Sequence, residues 1–393
     1  MQTFQTPSTP IQLAVVAQTA QSHTNAAQLR ATWVDASELR SRLVAWHSLA
    51  SNALRPNASF ESNFLLPALE HLADDSIRVL IVDDVQADKH NNLVALVPIQ
   101  RKQVYRLPFN AAEIWKHEQS FDSTPLLHKQ HATEAWQLIC DKLISDGFSL
   151  LSLDTVSGEP DIDQVFKATE KNQGIVRFQR DHFQRAAFTP SDTPGDYVTK
   201  HVSKSIRKNS RRLFRRLEDL GTVTWETSAP SSDFEQLTKY FLKIEASGWK
   251  GREGTALASN ESTKTFYEQL IRESAEDGKA RFLSLKLDGR PIAMLSDIQS
   301  GNVVFSYKTA YDEEFASFSP GQQIEVKNLE YLHRDGIALG DSCTVSNNST
   351  INRIWGQKLT FQNLILSLTP GLARTAVRAL PIIQSAVHRL RKN

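Results

Sequence analysis

The fold is decided by residues 278–336, GKARFLSLKLDGRPIAMLSDIQSGNVVFSYKTAYDEEFASFSPGQQIEVKNLEYLHRDG. Three apolar runs of strand length come first, separated by two tight, glycine-containing turns; they cover residues 281–287, 291–298 and 303–309. The third run leads to Ser319-Pro320-Gly321, where a helical pattern begins that ends at Gly336. The order of elements is therefore three strands, a glycine-containing loop and a helix.

The start of this helix is a candidate anion site. The first N–H groups of a helix have no partner inside the helix, and the helix dipole there favours a negative charge such as phosphate. The sequence predicts that the backbone N–H groups of Gly321, Gln322 and Gln323 bind phosphate, with Ser319 as the helix cap. An ordinary capped helix start is the alternative interpretation.

Length and composition are typical of a globular protein with two domains. The chain has 393 residues, a net charge of +1, 40% apolar residues and 23% charged residues. Cys140 and Cys343 are far apart, and the 11 histidines show no metal-ligand spacing. The sequence therefore predicts a cytoplasmic location and no metal, disulfide scaffold or zinc site. It contains neither the GxSxG motif of serine hydrolases nor an apolar run of the roughly 18–20 residues that a membrane span needs.

The pattern of elements predicts an α/β protein with a mixed sheet. The segment TPSDTPG at residues 189–195 has the composition of a linker. It divides the chain into an N-terminal domain, a second domain and a basic amphipathic C-terminal helix, at residues 1–188, 196–368 and 369–393. Local patterns further predict a first strand, an irregular region and one long helix, at residues 11–17, 102–130 and 196–220.

The centre of the long helix, KSIRKNSRRLFRR at residues 204–216, contains seven basic residues. Helical spacing places five of these cations on one side, namely Lys204, Arg207, Lys208, Arg211 and Arg215. A solvated helix face is one interpretation of this pattern. Contact with phosphate, on a nucleotide, a carrier protein or tRNA, is the other.

Several phrases of the second half follow the order of a known family. They are FLKIEASGWKGREGTAL, FYEQL, LDGRPIAM, FSYKTAYDEEFASFSPGQQI and IWGQK, between residues 241 and 358. Together they resemble the CelD/BcsL-type acetyltransferases of the GNAT superfamily, which are associated with cellulose and exopolysaccharide biosynthesis. That family is similar to the FemABX peptidyltransferases, which pair two GNAT-like domains. The resemblance implies tandem GNAT-like domains, of which the first is degenerate and structural or acceptor-binding, and the second is catalytic.

One motif differs from the wider superfamily. The widespread GNAT pyrophosphate loop reads Q/R-x-x-G-x-G/A, whereas this chain has Ser319-Pro320-Gly321-Gln322-Gln323, with one glycine. The single glycine agrees with the CelD/BcsL branch. It leaves the identity of the acyl donor as the main open question.

The resemblance implies transfer of an acyl group, acetyl in the simplest case, from acyl-CoA to an amine of a small molecule or sugar. The reaction would proceed by direct attack, without a covalent enzyme intermediate, in polysaccharide or cell-envelope biosynthesis. One alternative is a FemABX-like transferase that uses aminoacyl-tRNA, in which the basic helix holds the tRNA; nucleic acid is otherwise not expected as a partner. The other alternative is a non-catalytic accessory protein of a polysaccharide synthesis complex.

Acyl transfer to an amine needs a base for the amine and an acid for the leaving thiolate. The candidate bases are Glu245 and Asp312, and the candidate acid is Tyr307. Each also has an ordinary interpretation: a solvated helix end for Glu245, a turn residue for Asp312 and a packing residue for Tyr307. A backbone N–H of the strand at 303–310 is expected to polarise the carbonyl.

Three further residues are candidates for binding substrate, namely Trp249, Lys250 and Lys308. The two lysines suit an acidic substrate or a phosphate, and the tryptophan suits the wall of an acceptor cleft. Strand alternation predicts that Lys308 lies on the face opposite Tyr307.

The C-terminal segment allows two placements. Its basic, amphipathic pattern suits peripheral contact with a membrane surface, and its apolar residues equally suit packing on the protein's own domain. Pro381 predicts a kink in this helix. The sequence leaves the oligomeric state open.

Overall fold

A computed structural model describes residues 28–105, 107–191 and 193–390, with the backbone alone for 385–390. The strand expected at residues 11–17 lies outside the described residues. No helix within the described ranges is both long enough and apolar enough to cross a membrane.

The strands of these residues join in one 13-stranded mixed sheet. In chain order they are β1 (Leu29–Val34), β2 (Arg78–Asp84), β3 (Leu93–Lys102), β4 (Ala111–Ile114), β5 (Leu126–Leu127), β6 (Leu150–Ser157), β7 (Val176–Phe188), β8 (Val223–Thr227), β9 (Ala280–Leu287), β10 (Arg290–Ser300), β11 (Val303–Tyr311), β12 (Leu339–Asp341) and β13 (Gln357–Ser367). The spatial order is β1-β2-β3-β4-β6-β13-β7-β12-β11-β10-β9-β8, and β5 pairs with β3 outside this path.

The helices connect the strands and pack against the sheet. In chain order they are α1 (Ala36–Arg40), α2 (Leu43–Ser51), α3 (Ser62–His71), α4 (Ala132–Ser145), α5 (Pro160–Gln173), α6 (Pro194–His201), α7 (Lys204–Glu218), α8 (Phe234–Ser247), α9 (Trp249–Arg252), α10 (Glu261–Glu276), α11 (Pro320–Arg334) and α12 (Leu372–Leu390). Local signals explain several boundaries. The Asp35 side chain accepts a hydrogen bond from the Glu38 N–H at the start of α1, and Gly174 ends α5 in the left-handed conformation.

The two halves of the sheet repeat one topology. In the first, β1 is followed by helices α1 to α3, then by the antiparallel strands β2, β3 and β4, and then by α4 and β6, which is parallel to β4. In the second, β8, helices α8 to α10, strands β9 to β11, helix α11 and β12 follow the same order, with β12 parallel to β11. This repeat confirms the predicted α/β class with a mixed sheet and two halves of similar fold.

The last strand of each half lies in the other half. β7, which ends the first half, pairs with β12 of the second, with Phe188 opposite Gly340. β13, which ends the second half, pairs with β6 of the first, with Leu364 opposite Leu153. β7 and β13 also pair with each other along β13, from Gln357 to Ser367, so that the sheet is continuous through the centre of the molecule.

Three local expectations were wrong or incomplete. The first described strand is β1, which had not been predicted, and the region 102–130 contains β4 and β5. The expected long helix is two helices, because the chain leaves helical geometry at Val202 and Ser203 caps α7. Helix α12 includes Pro381, at which the sequence predicts a kink.

Helices α3 and α10 join the halves beside the sheet. Glu61 immediately precedes α3 and is 3% exposed. Its carboxylate accepts one hydrogen bond from the Ser300 hydroxyl of β10 and another, at 2.8 Å, from the Lys279 ammonium. Asn63 of α3 donates to the Ser274 hydroxyl of α10 at 2.9 Å. Polar groups thus fix the relative position of the two halves at a buried contact.

We predict that Glu61→Ala lowers the free energy of unfolding by about 2–3 kcal/mol, because it leaves Lys279 without its buried partner. Urea denaturation measures the change. Glu235→Ala is the matched control, since the Glu235–Lys239 pair is exposed and contributes less than about 1 kcal/mol. Equal losses in the two variants would contradict the assigned role of Glu61.

Candidate active site

The candidate site lies where β11 and β12 separate. These parallel strands pair at three positions, which join Val303 with Leu339, Val304 with Gly340 and Phe305 with Asp341. Beyond Phe305, β11 continues to Tyr311, and in the described part of the chain only β10 pairs with it there. Alternate backbone N–H groups of this segment therefore face a gap rather than a neighbouring strand.

A β-bulge lies at the beginning of the free segment. Ser306 is opposite Asp297 of β10 and Lys308 is opposite Ser296, so Tyr307 is an extra residue in β11. As a result the side chains of Tyr307 and Lys308 both reach the same residue, Gln119. The expectation that these two side chains lie on opposite faces was wrong, because simple alternation does not hold across a bulge.

Lys308 is held by the first half of the chain. Its ammonium donates a hydrogen bond to Gln119 Oε1 at 2.7 Å and lies 5.1 Å from the centroid of the Tyr307 ring. Burial lowers the pKa of Lys308 to about 8; the Glu245 carboxylate opposes this shift and the Lys250 ammonium adds to it. A lysine with this pKa exists in both protonation states near neutral pH.

Tyr307 and His117 belong to an aromatic wall behind Lys308. The Tyr307 hydroxyl donates to the Gln119 carbonyl at 3.2 Å, and its ring packs edge-on against Phe64. Burial raises the pKa of Tyr307 well above its usual value, so the phenol stays protonated. Burial, with the nearby Lys308 charge, lowers the pKa of His117 to about 3, so the imidazole is neutral.

Glu245 lies close to this segment but has partners for both oxygens. It is 4% exposed, Oε1 accepts from Lys250 Nζ at 2.8 Å, and Oε2 accepts from the Leu257 N–H at 2.9 Å. Glu245, Lys250 and Trp249 line a cavity of about 30 Å³ beside Thr309 of β11. Trp249 is 47% exposed. The structure thus brings Glu245, Trp249 and Lys250 together beside the free segment.

Asp312 has the contacts of a turn residue. Its carboxylate accepts the Glu314 N–H at 3.0 Å at the start of the short 3-10 helix Glu313–Phe318, and it forms an ion pair with Arg290. It does not line the cavity beside Glu245. These contacts account for Asp312 without a catalytic role.

The start of α11 combines an unusual cap with a close ring contact. Ser319 has a φ of +50° and its side chain makes no capping hydrogen bond, whereas Gln323 Nε2 donates to the Phe318 carbonyl at 2.8 Å. A Cβ at Gly321 would be 3.0 Å from Cδ1 of the Tyr311 ring, so packing alone favours glycine there. Within the described residues, the N–H groups of Gly321 and Gln322 have no hydrogen-bond partner outside the helix, as expected for a helix start, whereas the Gln323 N–H donates to the Ser319 carbonyl at 3.1 Å.

The basic helix α7 lies beside this helix start. Gln322 Nε2 donates to the Ser210 hydroxyl at 3.1 Å, and the Arg216 guanidinium lies 5.6 Å from the Phe318 ring centroid. A groove of about 310 Å³ between α7, α11 and β8 is lined by Arg211 and Arg215, among others. In the described part of the chain, no α7 cation is within 4.0 Å of a carboxylate. Two separate sequence signals, the helix start and the basic helix, thus meet in space.

A buried carboxyl group lies on α11 beneath the free segment. Glu325, 6% exposed, accepts a hydrogen bond from the Thr309 hydroxyl at 2.8 Å and from the Trp355 indole at 3.2 Å. Burial raises the pKa of Glu325 to about 7. Neither Glu325 nor Gln119 was predicted from the sequence, because the contacts that place them at the site involve residues distant in sequence, such as Trp355 for Glu325 and Lys308 for Gln119.

Residues 204–345, from the start of α7 to just beyond β12, match a family model described as an acetyltransferase (GNAT) domain. Residues 204–345 are therefore similar to a GNAT acetyltransferase domain. The matched residues include α7, β11, Lys308 and the start of α11.

Solved structures share this fold over most of the chain. FemX has a TM-score of 0.56 and 12% identity, with 86% of this chain and 97% of that chain covered. The C-terminal domain of a putative lysylphosphatidylglycerol synthetase from Agrobacterium fabrum has a TM-score of 0.53 and 10% identity, with 90% and 97% covered. A conserved protein of unknown function from Bacteroides thetaiotaomicron has a TM-score of 0.52 and 10% identity, with 87% and 100% covered.

A comparison with curated proteins finds no match to the chain. Within the described ranges, no group of three or more His, Cys, Asp and Glu side chains is placed to hold a metal ion.

We predict that Glu325 makes stability decrease as the pH rises. Because its pKa is about 7 in the folded state against 4.5 as the reference value, its contribution is fully present below about pH 4.5 and is lost as the pH rises through 7. The loss amounts to up to about 3 kcal/mol. Urea denaturation across this range should show it in the wild type.

Glu325→Gln should remove most of this pH dependence, because an amide does not titrate and the Thr309 hydroxyl can accept as well as donate. The exposed Glu314→Gln variant is the control and should keep the wild-type profile. An unchanged profile in Glu325→Gln would show that Glu325 does not titrate in this range.

Proposed function

We propose that this chain is an N-acyltransferase that moves an acyl group from acyl-CoA, acetyl-CoA in the simplest case, to an amine of a small molecule or sugar. The observation that carries the proposal is the separation of β11 from β12, with Lys308 at its base and the start of α11 at its end. The GNAT-domain match over the same residues supports an acyltransferase. The proposal also specifies the identity of the acyl group, of its donor and of the acceptor.

The residues at the helix start suit the phosphates of such a donor. The N–H groups of Gly321 and Gln322 and the positive end of the α11 dipole attract anions. The adjoining groove contains Arg211, Arg215 and Lys327, together with the carboxylates of Glu218 and Glu330, and Trp225 offers an aromatic surface there. Cations without carboxylate partners are available for a ligand, since no internal ion pair must be broken to bind it.

The gap in the second half, and not its counterpart in the first, is the proposed reaction site. In the first half, the chain after β4 fills the equivalent place: the Ser123 N–H donates to the Thr155 carbonyl at 3.0 Å, and Lys116 donates to the Thr155 hydroxyl at 2.8 Å. This filling supports a degenerate N-terminal domain, with residues 1–188 and 196–368 as the proposed domains. Gln119 of the first half contributes to the site by holding Lys308.

In the proposed reaction, the acceptor nitrogen attacks the thioester carbonyl carbon and its proton goes to neutral Lys308. Backbone N–H groups of β11 that face the gap stabilise the negative charge on the carbonyl oxygen. The carbon–sulfur bond then breaks, and protonated Lys308 or the Tyr307 hydroxyl supplies a proton to the departing sulfur. Cys343 stays a thiol, because burial raises its pKa well above the usual value, and this favours direct attack over an acyl-cysteine intermediate.

Lys308 replaces Glu245 and Asp312 as the proposed base. Glu245 already accepts from Lys250 and Leu257, and Asp312 is committed to Arg290 and to its own turn. We assign Glu245 to positioning Lys250, and we assign Trp249 and Lys250 to the acceptor side of the gap. The role of Glu245 rests on its hydrogen bond with Lys250, and the roles of Trp249 and Lys250 rest on their position beside β11.

A FemABX-like reaction with aminoacyl-tRNA is the second candidate. The seven basic residues of α7 favour it, because they form a longer array of cations than one nucleotide needs. The likeness to FemX is a likeness of fold and does not decide between the donors. An association with polysaccharide synthesis, catalytic or accessory, rests on the CelD/BcsL-like phrases of the sequence.

We predict that acetyl-CoA raises the melting temperature, because a ligand at about 100 times its Kd stabilises by about 2.7 kcal/mol. A thermal-shift series with acetyl-CoA, longer acyl-CoAs, CoA and tRNA identifies the donor. Arg211→Gln with Arg215→Gln should weaken the effect of CoA compounds, whereas Arg212→Gln, whose guanidinium donates to Asn209, should not. A response to tRNA alone would support the second candidate, and a flat response to the whole series would overturn both.

We predict that kcat/KM rises with pH and levels off above about 8, because only neutral Lys308 accepts a proton. Lys308→Met should lose at least about 100-fold in kcat. Lys308→Arg should be equally inactive, because a guanidinium stays charged. Lys239→Met, at an exposed position of α8, is the control, and full activity of Lys308→Met would exclude Lys308 as the base.

A further inference from the structure

Helix α12 has two apolar faces, and the protein uses one of them. Ala373, Val377 and Leu380 are buried against the sheet, in a cluster that includes Phe178 of β7 and Ile365 of β13. These three residues form the inner face of α12, and through them the C-terminal segment packs on the protein's own sheet, which is one of its two predicted placements. Contacts with β7 and β13 fix the orientation of the helix.

The outer face of α12 is apolar and exposed. Leu372 is 78% exposed, Ile382 is 73% exposed and Ile383 is 48% exposed. At about 100° per residue, Ile382 lies about 180° around the helix from Ala373, whereas Leu372 and Ile383 lie about 80–100° from it, along one flank of the exposed side. Large exposed apolar residues of this kind mark an interaction surface when they lie together on one element.

The same segment is strongly basic. Residues 372–393 contain five Arg and Lys residues and no Asp or Glu; the cations are Arg374, Arg378, Arg389, Arg391 and Lys392. Arg378 is exposed on α12, and no carboxylate of the described residues lies within 4.0 Å of it. An apolar stripe bordered by cations matches the two parts of a lipid interface, the acyl chains and the anionic headgroups.

We propose that the exposed side of α12 binds the surface of an anionic membrane, with Leu372, Ile382 and Ile383 in the interface and Arg378 among the headgroups. This proposal is independent of the acyltransfer reaction. The helix lies on the membrane and does not cross it, since its inner face is occupied by the sheet.

The charge of the C-terminal segment favours an anionic lipid surface over a second copy of the chain as the partner of this face. Two copies meeting through their α12 helices would bring two basic segments together, because residues 372–393 contain five Arg and Lys residues and no Asp or Glu. An anionic lipid surface gains from the same charges, by about fivefold in affinity for each cation that reaches it. The composition of the segment therefore favours lipid.

The test is co-sedimentation of the full-length protein with vesicles. We expect binding to phosphatidylcholine vesicles that contain roughly one third phosphatidylglycerol, weak binding to pure phosphatidylcholine, and loss of binding as salt is raised. Ile382→Ser with Ile383→Ser should weaken binding at least about tenfold. Arg378→Gln with Arg389→Gln should weaken binding to the anionic vesicles and leave the weak binding to phosphatidylcholine unchanged.

Leu43→Ser with Val44→Ser is the matched control, because these residues form another exposed apolar pair, at the start of α2. It should bind vesicles like the wild type. Three results would overturn the proposal: no binding to anionic vesicles, equal binding after the isoleucine substitutions, or self-association or capture of a protein through this face without vesicle binding. Melting temperatures of the variants exclude unfolding as the cause.

Discussion

One extra residue in β11 sets the geometry of the candidate site. Because Tyr307 has no counterpart in β10, the strand bends there, and Lys308 turns to the same side as Tyr307 instead of the opposite face. The free part of β11 begins at this point, where β12 no longer pairs with it. The gap, the orientation of the lysine and the unpaired N–H groups are therefore consequences of one local irregularity.

The first half of the chain holds this irregularity in place. Gln119 contacts both Tyr307 and Lys308 across 188 and 189 positions of sequence. Arg185 of the exchanged strand β7 forms a buried ion pair with Asp341 at the end of β12, and it donates to the Phe121 carbonyl at 2.6 Å. The candidate site thus lies in the second half of the sheet, and its geometry depends on contacts from the first half.

Much of the fold follows from local sequence, whereas the details of the site do not. The strands β9, β10 and β11 and helix α11 were predicted within two or three residues, because apolar periodicity and glycine turns specify them. The strand β4 was not predicted, because its four residues lie among irregular segments. The bulge depends on the register with β10, and the partners of Lys308, Glu245 and Glu325 depend on packing between distant residues. Neither kind of information is present in a local pattern.

The exchange of β7 and β13 has a consequence for biosynthesis. The strand β6, at residues 150–157, acquires its neighbour β13 only when residues 357–367 have been made. At a synthesis rate of roughly 5–20 residues per second, the first half waits on the order of 10 seconds or more with an unpaired strand edge. Such an edge is prone to pair with other chains. The last strand of the protein is therefore also the element that protects its first half from aggregation.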